Sequence, residues 1–180
     1  MATKRNFFLL AIVMTITIIS PRCGWCWHGY VFKVLDGDSL RVKKGGKVYE
    51  VRLYGIDSPE YGQRYGDQAK RFTKARAYKK TVSIEQKDTD SYGRIVALVK
   101  SEGRLINREL VKNGLAWVYP QYCRDQKICN PMEKDEKKAR KAKRGLWKDK
   151  DPLPPWKWRQ SKREGSPLRF HREYRFPYWR

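Results

Sequence analysis

Histidine is nearly missing from this chain: His28 and His171 are the only two among 180 residues. A histidine-built zinc centre therefore has no material. Cys23-Gly24-Trp25-Cys26 has C-x-x-C spacing, but no second such pair or histidine cluster accompanies it to complete a cage. We read that pair as a small N-terminal staple, or as two cysteines separated by processing, in preference to a metal or redox site. Acidic residues are also scarce, with 19 Asp and Glu against 41 Lys and Arg, a formal charge of +22. A surface this basic draws polyanions and speeds their arrival. Nucleic acid leads the candidates, ahead of an anionic membrane surface or a cell-wall polymer. Charge alone neither chooses among these nor shows catalysis. There is no internal repeat. The content of 40% hydrophobic and 13% aromatic residues excludes a wholly disordered chain, and the length suits one domain with a core of its own.

The N-terminus reads as an address. Lys4 and Arg5 precede an uninterrupted run of apolar residues and threonines from Phe7 to Ile19, which Ser20-Pro21 breaks. That run is short of the roughly 20 residues a membrane-spanning helix needs and suits a secretory signal peptide over 1–23. No clean A-x-A cleavage site follows, so an uncleaved membrane anchor stays as the alternative. Removing 1–23 takes away three cations and no acid, lowering the formal charge only from +22 to +19. The expected location is secreted or periplasmic. Four cysteines fit export, and Cys123 and Cys129, bracketing a short loop, are the first choice for a disulfide.

The body alternates between strand and helix patterns. Tyr30–Leu35, Ser39–Val42 and Val48–Tyr54 read as strands, with Gly45-Gly46 a two-residue hairpin signal between the last two. Alternation puts Val51 and Leu53 on one face and Arg52 on the other. Tyr65, Ala69, Phe72 and Ala75 form an apolar stripe that predicts a helix. Thr81–Glu85 and Arg94–Val99 read as further strands. Leu105–Asn113 reads as a short helix that Gly114 stops, and a last helix is expected to start at Asn130-Pro131, present Met132, Ala139 and Ala142 inward, and end at Gly145. Asp151–Pro155 resists regular structure. The order predicts an α+β protein: a five-stranded OB-fold β-barrel with about three helices over 24–159. A basic tail over 160–180 follows, with Phe170, Tyr174, Phe176, Tyr178 and Trp179 interleaved. That tail is either a nucleic-acid-binding segment working by charge and stacking or a loosely packed extension.

Hydrolysing a phosphodiester requires groups that gather the transition-state charge, position and deprotonate a water, and stabilise the leaving oxygen. Arginine grips two phosphate oxygens with a permanently charged fork. Carboxylates orient water, and a hard cation held by oxygens serves both charge and water. This chain brings such groups close in sequence: Asp36-Gly37-Asp38, Asp57-Ser58-Pro59-Glu60, Arg52 before the latter, and Arg94 behind Asp90-Ser91-Tyr92-Gly93. Four carboxylates in so basic a chain repel one another unless a cation or arginines compensate. Each element taken alone is an ordinary turn, loop or surface residue; their order and spacing are what is specific.

Val34–Ser39, Val51–Glu60 and Asp90–Arg94, in this order, resemble the three signature segments of the staphylococcal-nuclease family. Lys143–Trp147 and Pro154-Pro155-Trp156-Lys157-Trp158-Arg159 are similar to the C-terminal ending of many bacterial members. The likeness runs from about His28 to Arg159. It implies an OB-fold barrel and a calcium-dependent endonuclease that hydrolyses DNA, with RNA as a second substrate, leaving 3′-phosphate ends. By position it implies Asp38 and Asp57 as carboxylate ligands of one calcium ion, with the Ser58 carbonyl as a further ligand and Asp36 close by, acting through water. It implies Glu60 as general base or water-orienting group, Arg52 and Arg94 on the scissile phosphate, and Tyr92 lining the nucleotide pocket. Tyr119 is a looser candidate for base stacking. Serine stands at Ser39 and Ser58 where the family often has threonine, and the stretch between Glu60 and Tyr65 is short. Nothing demands more than a monomer or an obligatory protein partner.

Two alternatives belong to other classes. One is an inactive OB-fold nucleic-acid-binding module, which leaves the presence of Arg52, Glu60 and Arg94 without a purpose. The other is a basic surface protein that binds polyanions generally, which explains charge and export but not four acids and two arginines at these spacings.

Overall fold

The computed structural model describes residues 26–165; the expected signal peptide, Cys23 and most of the basic tail lie outside them. The chain runs β1 (Cys26–Val34), β2 (Ser39–Lys44), β3 (Lys47–Leu53), β4 (Ile56–Asp57), α1 (Gly66–Ala77), β5 (Thr81–Thr89), β6 (Ile95–Ser101), β7 (Arg104–Leu105), α2 (Ile106–Lys112), β8 (Trp117–Val118), α3 (Gln126–Lys141), a 3-10 turn at Gly145–Lys148, and α4 (Pro155–Arg163). Strands β3-β2-β1-β5-β6 are neighbours in that order, and β3 pairs with β6 to close the barrel. All pairings are antiparallel except that closure, which is parallel: Arg52 stands opposite Val96. This is the expected α+β, five-stranded OB-type barrel, with four helices among the described residues where about three were expected.

Period-two alternation builds the barrel interior. Leu40 and Val42 of β2, Val51 and Leu53 of β3, and Val82 and Ile84 of β5 are buried, and Val31 and Val99 belong to the same core, as do Ile106 and Leu110 of α2. The β2–β3 hairpin turns at Gly45 and Gly46, whose φ values of +53° and +76° lie in the left-handed region that a two-residue primed turn requires. Strands β1 and β5 are longer than the sequence pattern suggests, pairing from Cys26↔Glu85 to Tyr30↔Thr81. Polar positions at the ends of both strands hide this, because ladder bonds do not depend on side-chain type.

The helices depart further from the sequence pattern. In α1 the buried residues are Gly66, Ala69, Thr73 and Ala77; Ala75 is exposed and Phe72 half-buried, so the inward stripe is smaller and rotated from the expected one. Helix α3 begins at Gln126, capped by the Asp125 side chain, which accepts from the Lys127 amide (3.1 Å); Asn130 does not cap it and Pro131 lies inside it. Two local devices explain the earlier start. Cys123 and Cys129 are joined by a disulfide, and the Tyr54 hydroxyl accepts from the amides of Arg124 (2.9 Å) and Asp125 (3.0 Å). Both hold the chain in position for a helix one turn ahead of the proline. Met132 and Ala139 face inward as expected, but Ala142 is exposed, and Cys129, Asp135 and Glu136 are the further buried residues. Helix α4 is the unforeseen fourth. Its run of prolines ends at Pro155, which serves as the first helical residue because it has no amide hydrogen to leave unpaired.

Asn107 staples these layers. It is fully buried; its carbonyl accepts from the Val99 amide (3.0 Å), and its amide donates to the carbonyls of Tyr54 (3.0 Å) and Ala97 (3.1 Å). It thereby ties α2 to β6 and to the turn entering β4. Asn107→Ala is expected to cost about 2–3 kcal/mol, since it strands buried backbone groups without partners; urea unfolding with an unchanged m-value is the check.

Candidate active site

Three connections converge at one end of the barrel: the β1–β2 turn, the β4–α1 loop and the start of the C-terminal helix. Gly37 lies between Asp36 and Asp38, and a β-carbon there would meet Ser58 Oγ at 2.6 Å and the Ala69 β-carbon at 2.7 Å. The glycine is needed for this close approach of turn, loop and α1. Thr73 of α1 fastens it by donating to the Gly37 carbonyl (2.5 Å).

Close approach places the carboxylates. Asp36 accepts from the Asp38 amide (2.9 Å). Asp38 and Asp57 are fully buried. One Asp38 oxygen accepts from the Ser58 amide (2.6 Å); the other accepts from Ser39 Oγ (3.2 Å) and from Arg52 Nη1. Arg52 spans the two acids, its Nη2 donating to Asp57. Burial pushes the Asp38 carboxyl well above the usual carboxylate range; Arg52 opposes this, while Asp36 and Asp57 add to it. Burial also works against charge on Arg52, but Asp38 and Asp57 outweigh it and hold its proton more tightly than usual.

Arg159 of α4, which the sequence reading quoted in a motif but gave no role, reaches the same cluster. Its Nη2 donates to Asp57 Oδ2 (2.8 Å), and its Nη1 to Asp57 Oδ1 (3.2 Å) and to Glu60 Oε1. Gln63 supports Glu60 from behind: its side-chain oxygen accepts from the Glu60 amide (3.0 Å), and its amide donates to the Leu153 carbonyl (2.6 Å), just ahead of α4. A signal for Arg159 existed. Trp156 and Arg159 are three apart, so a helix beginning at Pro155 puts both on one face.

Asp36, Asp38, Arg52, Asp57, Ser58 and Glu60 are thus gathered, while Arg94 stands apart from the carboxylates. It is paired with Asp90, Nε to Oδ2 at 2.7 Å, and its guanidinium lies 5.5 Å from the exposed Tyr92 ring centre. Glu50, Tyr92, Gly93 and Arg94 line one open pocket. The parallel closure sets Arg94 two residues before Val96, the partner of Arg52, so both arginines belong to the same barrel seam. Tyr119 stacks on Trp156, ring centres 4.7 Å apart and planes at 1°, with Tyr122 tilted against it at 4.9 Å.

The donor set suits a hard cation. Among the described residues no three His, Cys, Asp or Glu side chains form a ready cage. Two buried carboxylates nevertheless direct one oxygen each at a single guanidinium. Asp36, Asp38, Asp57 and Glu60 carry four formal negatives against two positives on Arg52 and Arg159. The remainder equals the charge of one divalent ion, and all the groups are hard oxygens.

A closed five-stranded barrel with buried acids and arginines at one end, inside a strongly basic chain, defines a barrel protein equipped to act on phosphodiesters. Comparison with known proteins makes this specific. The family described as staphylococcal nuclease homologue matches residues 50–149, which include Arg52, Asp57, Ser58, Glu60 and Arg94. An Escherichia coli protein called "Uncharacterized endonuclease" is 43% identical over 136 residues, 75% of this chain and 86% of its own. A Haemophilus influenzae protein of the same description is 34% identical over 161 residues, covering 89% and 88%. A "Micrococcal nuclease" from Shigella flexneri is 30% identical over 168 residues, covering 88% and 95%. The chain belongs to the staphylococcal nuclease homologue family. It is a nuclease, a hydrolase acting as an endonuclease on nucleic acid.

Proposed function

We propose that this nuclease is a calcium-dependent phosphodiesterase that cuts DNA, with RNA as a second substrate, and leaves 3′-phosphate ends. The observation that carries the reading is the pairing of fully buried Asp38 and Asp57 around one positive group, beside Glu60, at the mouth of a basic barrel. Asp38, Asp57 and the Ser58 carbonyl would hold one calcium ion, with Asp36 acting through water; the ion supplies charge for the phosphate and a site for water. Glu60 accepts the proton of the attacking water. Arg52 and Arg94 bind the phosphate oxygens, Arg94 leaving Asp90 to do so, and Tyr92 lines the adjoining nucleotide pocket. Tyr119 offers a stacking surface shared with Trp156. The disulfide supports export to a secreted or periplasmic location, where such bonds persist.

The test is cleavage of plasmid DNA by residues 27–180, with calcium and with chelator. Activity should appear with calcium, vanish with chelator, and fall by about 10²–10³ in Arg94→Ala, the scale for losing one transition-state donor. Cleavage indifferent to chelator would sink the calcium site. A folded, DNA-binding protein that leaves plasmid intact under every condition would favour the binding module.

A further inference from the structure

We propose that Arg159 is a positioning residue of the active site, so that α4 belongs to the catalytic apparatus. The proposal rests on the reading above in which Glu60 handles the attacking water. Its basis is who holds Glu60. Among the described residues Arg159 is the only side chain that bonds the Glu60 carboxylate. Glu60 follows Pro59 in a loop and is partly exposed, so without a partner its three side-chain torsions would scatter the oxygens over many directions. A water held by a wandering carboxylate is seldom aligned for attack, and misalignment of about 1 Å can cost on the order of 10²-fold in rate.

Arg159 can hold Glu60 because it is itself held. Its guanidinium forks onto both oxygens of Asp57, and Arg52 secures Asp57 from the other side. Arg52, Asp57, Arg159 and Glu60 therefore form a chain of alternating charge. Behind it α4 is docked at several points. Trp156 lies flat on Tyr119 and edge-on to Trp117 (5.8 Å between ring centres), Pro155 is buried, and Gln63 joins the helix approach to the Glu60 amide. A surface arginine with a chance partner would have neither the fork nor the docked helix.

The same geometry has a second consequence of opposite sign. Arg159 covers both Asp57 oxygens, so a cation drawn to Asp57 has to take one over, against the repulsion of a neighbouring positive charge. Arg159 therefore aligns the base while weakening the hold on the cation, and its removal should move the two properties in opposite directions.

The experiment compares wild type, Arg159→Ala, Arg159→Lys and, as a control on the exposed end of α4, Arg163→Ala. It measures kcat and KM for DNA at saturating calcium, calcium affinity by titration calorimetry without nucleic acid, and thermal unfolding. For Arg159→Ala the expected result is a kcat lower by about tenfold or more with KM changed less than about threefold. Its calcium affinity should rise by roughly threefold or more. Arg159→Lys should fall between, keeping the charge and losing the fork, and Arg163→Ala should match wild type. A kcat within about threefold of wild type overturns the proposal, as does a fall in kcat with weaker calcium binding, which would make Arg159 only a prop of the metal site. A wild-type protein that neither binds calcium nor needs it is a different failure, that of the calcium reading, and shows before any variant is compared.

Discussion

Arg52→Ala is expected to lose both activity and much of the fold's stability. Among the described residues Arg52 is the only side-chain cation on Asp38, and it shares Asp57 with Arg159. Removing it leaves the fully buried Asp38 carboxylate with hydrogen bonds from Ser39 and Ser58 but no opposite charge beside it. Breaking a buried pair by deleting one partner typically costs about 3–5 kcal/mol, more than the pair contributes in net terms, because the orphaned acid must either stay charged without water or take up a proton. A domain with ordinary stability of about 5–15 kcal/mol would lose a large share of it. With Arg52 on the phosphate, as proposed, the chemistry should suffer independently, by about 10²–10³ or more, the scale for losing one transition-state donor. Calcium separates the two effects. A divalent ion between Asp38 and Asp57 restores the missing charge, so saturating calcium should recover much of the stability and none of the lost rate. Thermal unfolding with and without calcium, beside single-turnover cleavage, reads both. Unfolding unchanged by the substitution would mean that the buried acids do not need Arg52.

The barrel was legible because its signals are local and repeated. Alternation in β2 and β3 and the Gly45-Gly46 turn identify the hairpin, and the same alternation points Arg52 away from the core side chains Val51 and Leu53. Helix starts were harder because the deciding contacts are long-range. Asn130-Pro131 carries a sound capping pattern, yet Asp125 wins once the disulfide and the Tyr54 hydroxyl, some 70 residues away in sequence, have fixed the preceding loop. Gly37 shows a subtler limit. A glycine between two aspartates reads as a turn, whereas the structure requires it for the contact with Ser58 and Ala69 that brings both acidic loops together.

The site divided in the same way. Residues within one loop or adjacent strands were named from spacing and family likeness, and the fold brings most of them together; Arg159, arriving from elsewhere, was given no role. Arg159 meets Asp57 across 102 residues, and no local period announces such a meeting. The surrounding motif was visible, but its proline-rich approach suggested irregular chain, which hid the helix that aims the guanidinium. The strongly basic composition also made one more arginine uninformative. What distinguishes the half-buried Arg159 is its pairing with two carboxylates: Asp57 and then Glu60 overcome the desolvation that works against its charge and hold its proton more tightly than usual.

Glu60→Gln should be the most selective way to stop the reaction. Glutamine keeps the length and the carbonyl oxygen that can accept from Arg159, and the Glu60 amide stays bonded to Gln63. It cannot take a proton from water at neutral pH. General-base catalysis contributes about 10²–10⁴ in rate, so kcat should fall by that factor while KM for DNA and the calcium affinity change little. Stability should hardly move, because a partly exposed carboxylate–arginine pair contributes at most about 1 kcal/mol. This contrasts with Arg52→Ala, in which rate and stability fall together. A Glu60→Gln protein that cuts within about threefold of wild type would remove Glu60 from the proton transfer and leave its pairing with Arg159 as a purely architectural contact. A large loss of kcat in a protein of unchanged stability and calcium affinity would place the proton acceptor at the one carboxylate of the cluster that, among the described residues, Arg159 pairs with and Arg52 does not.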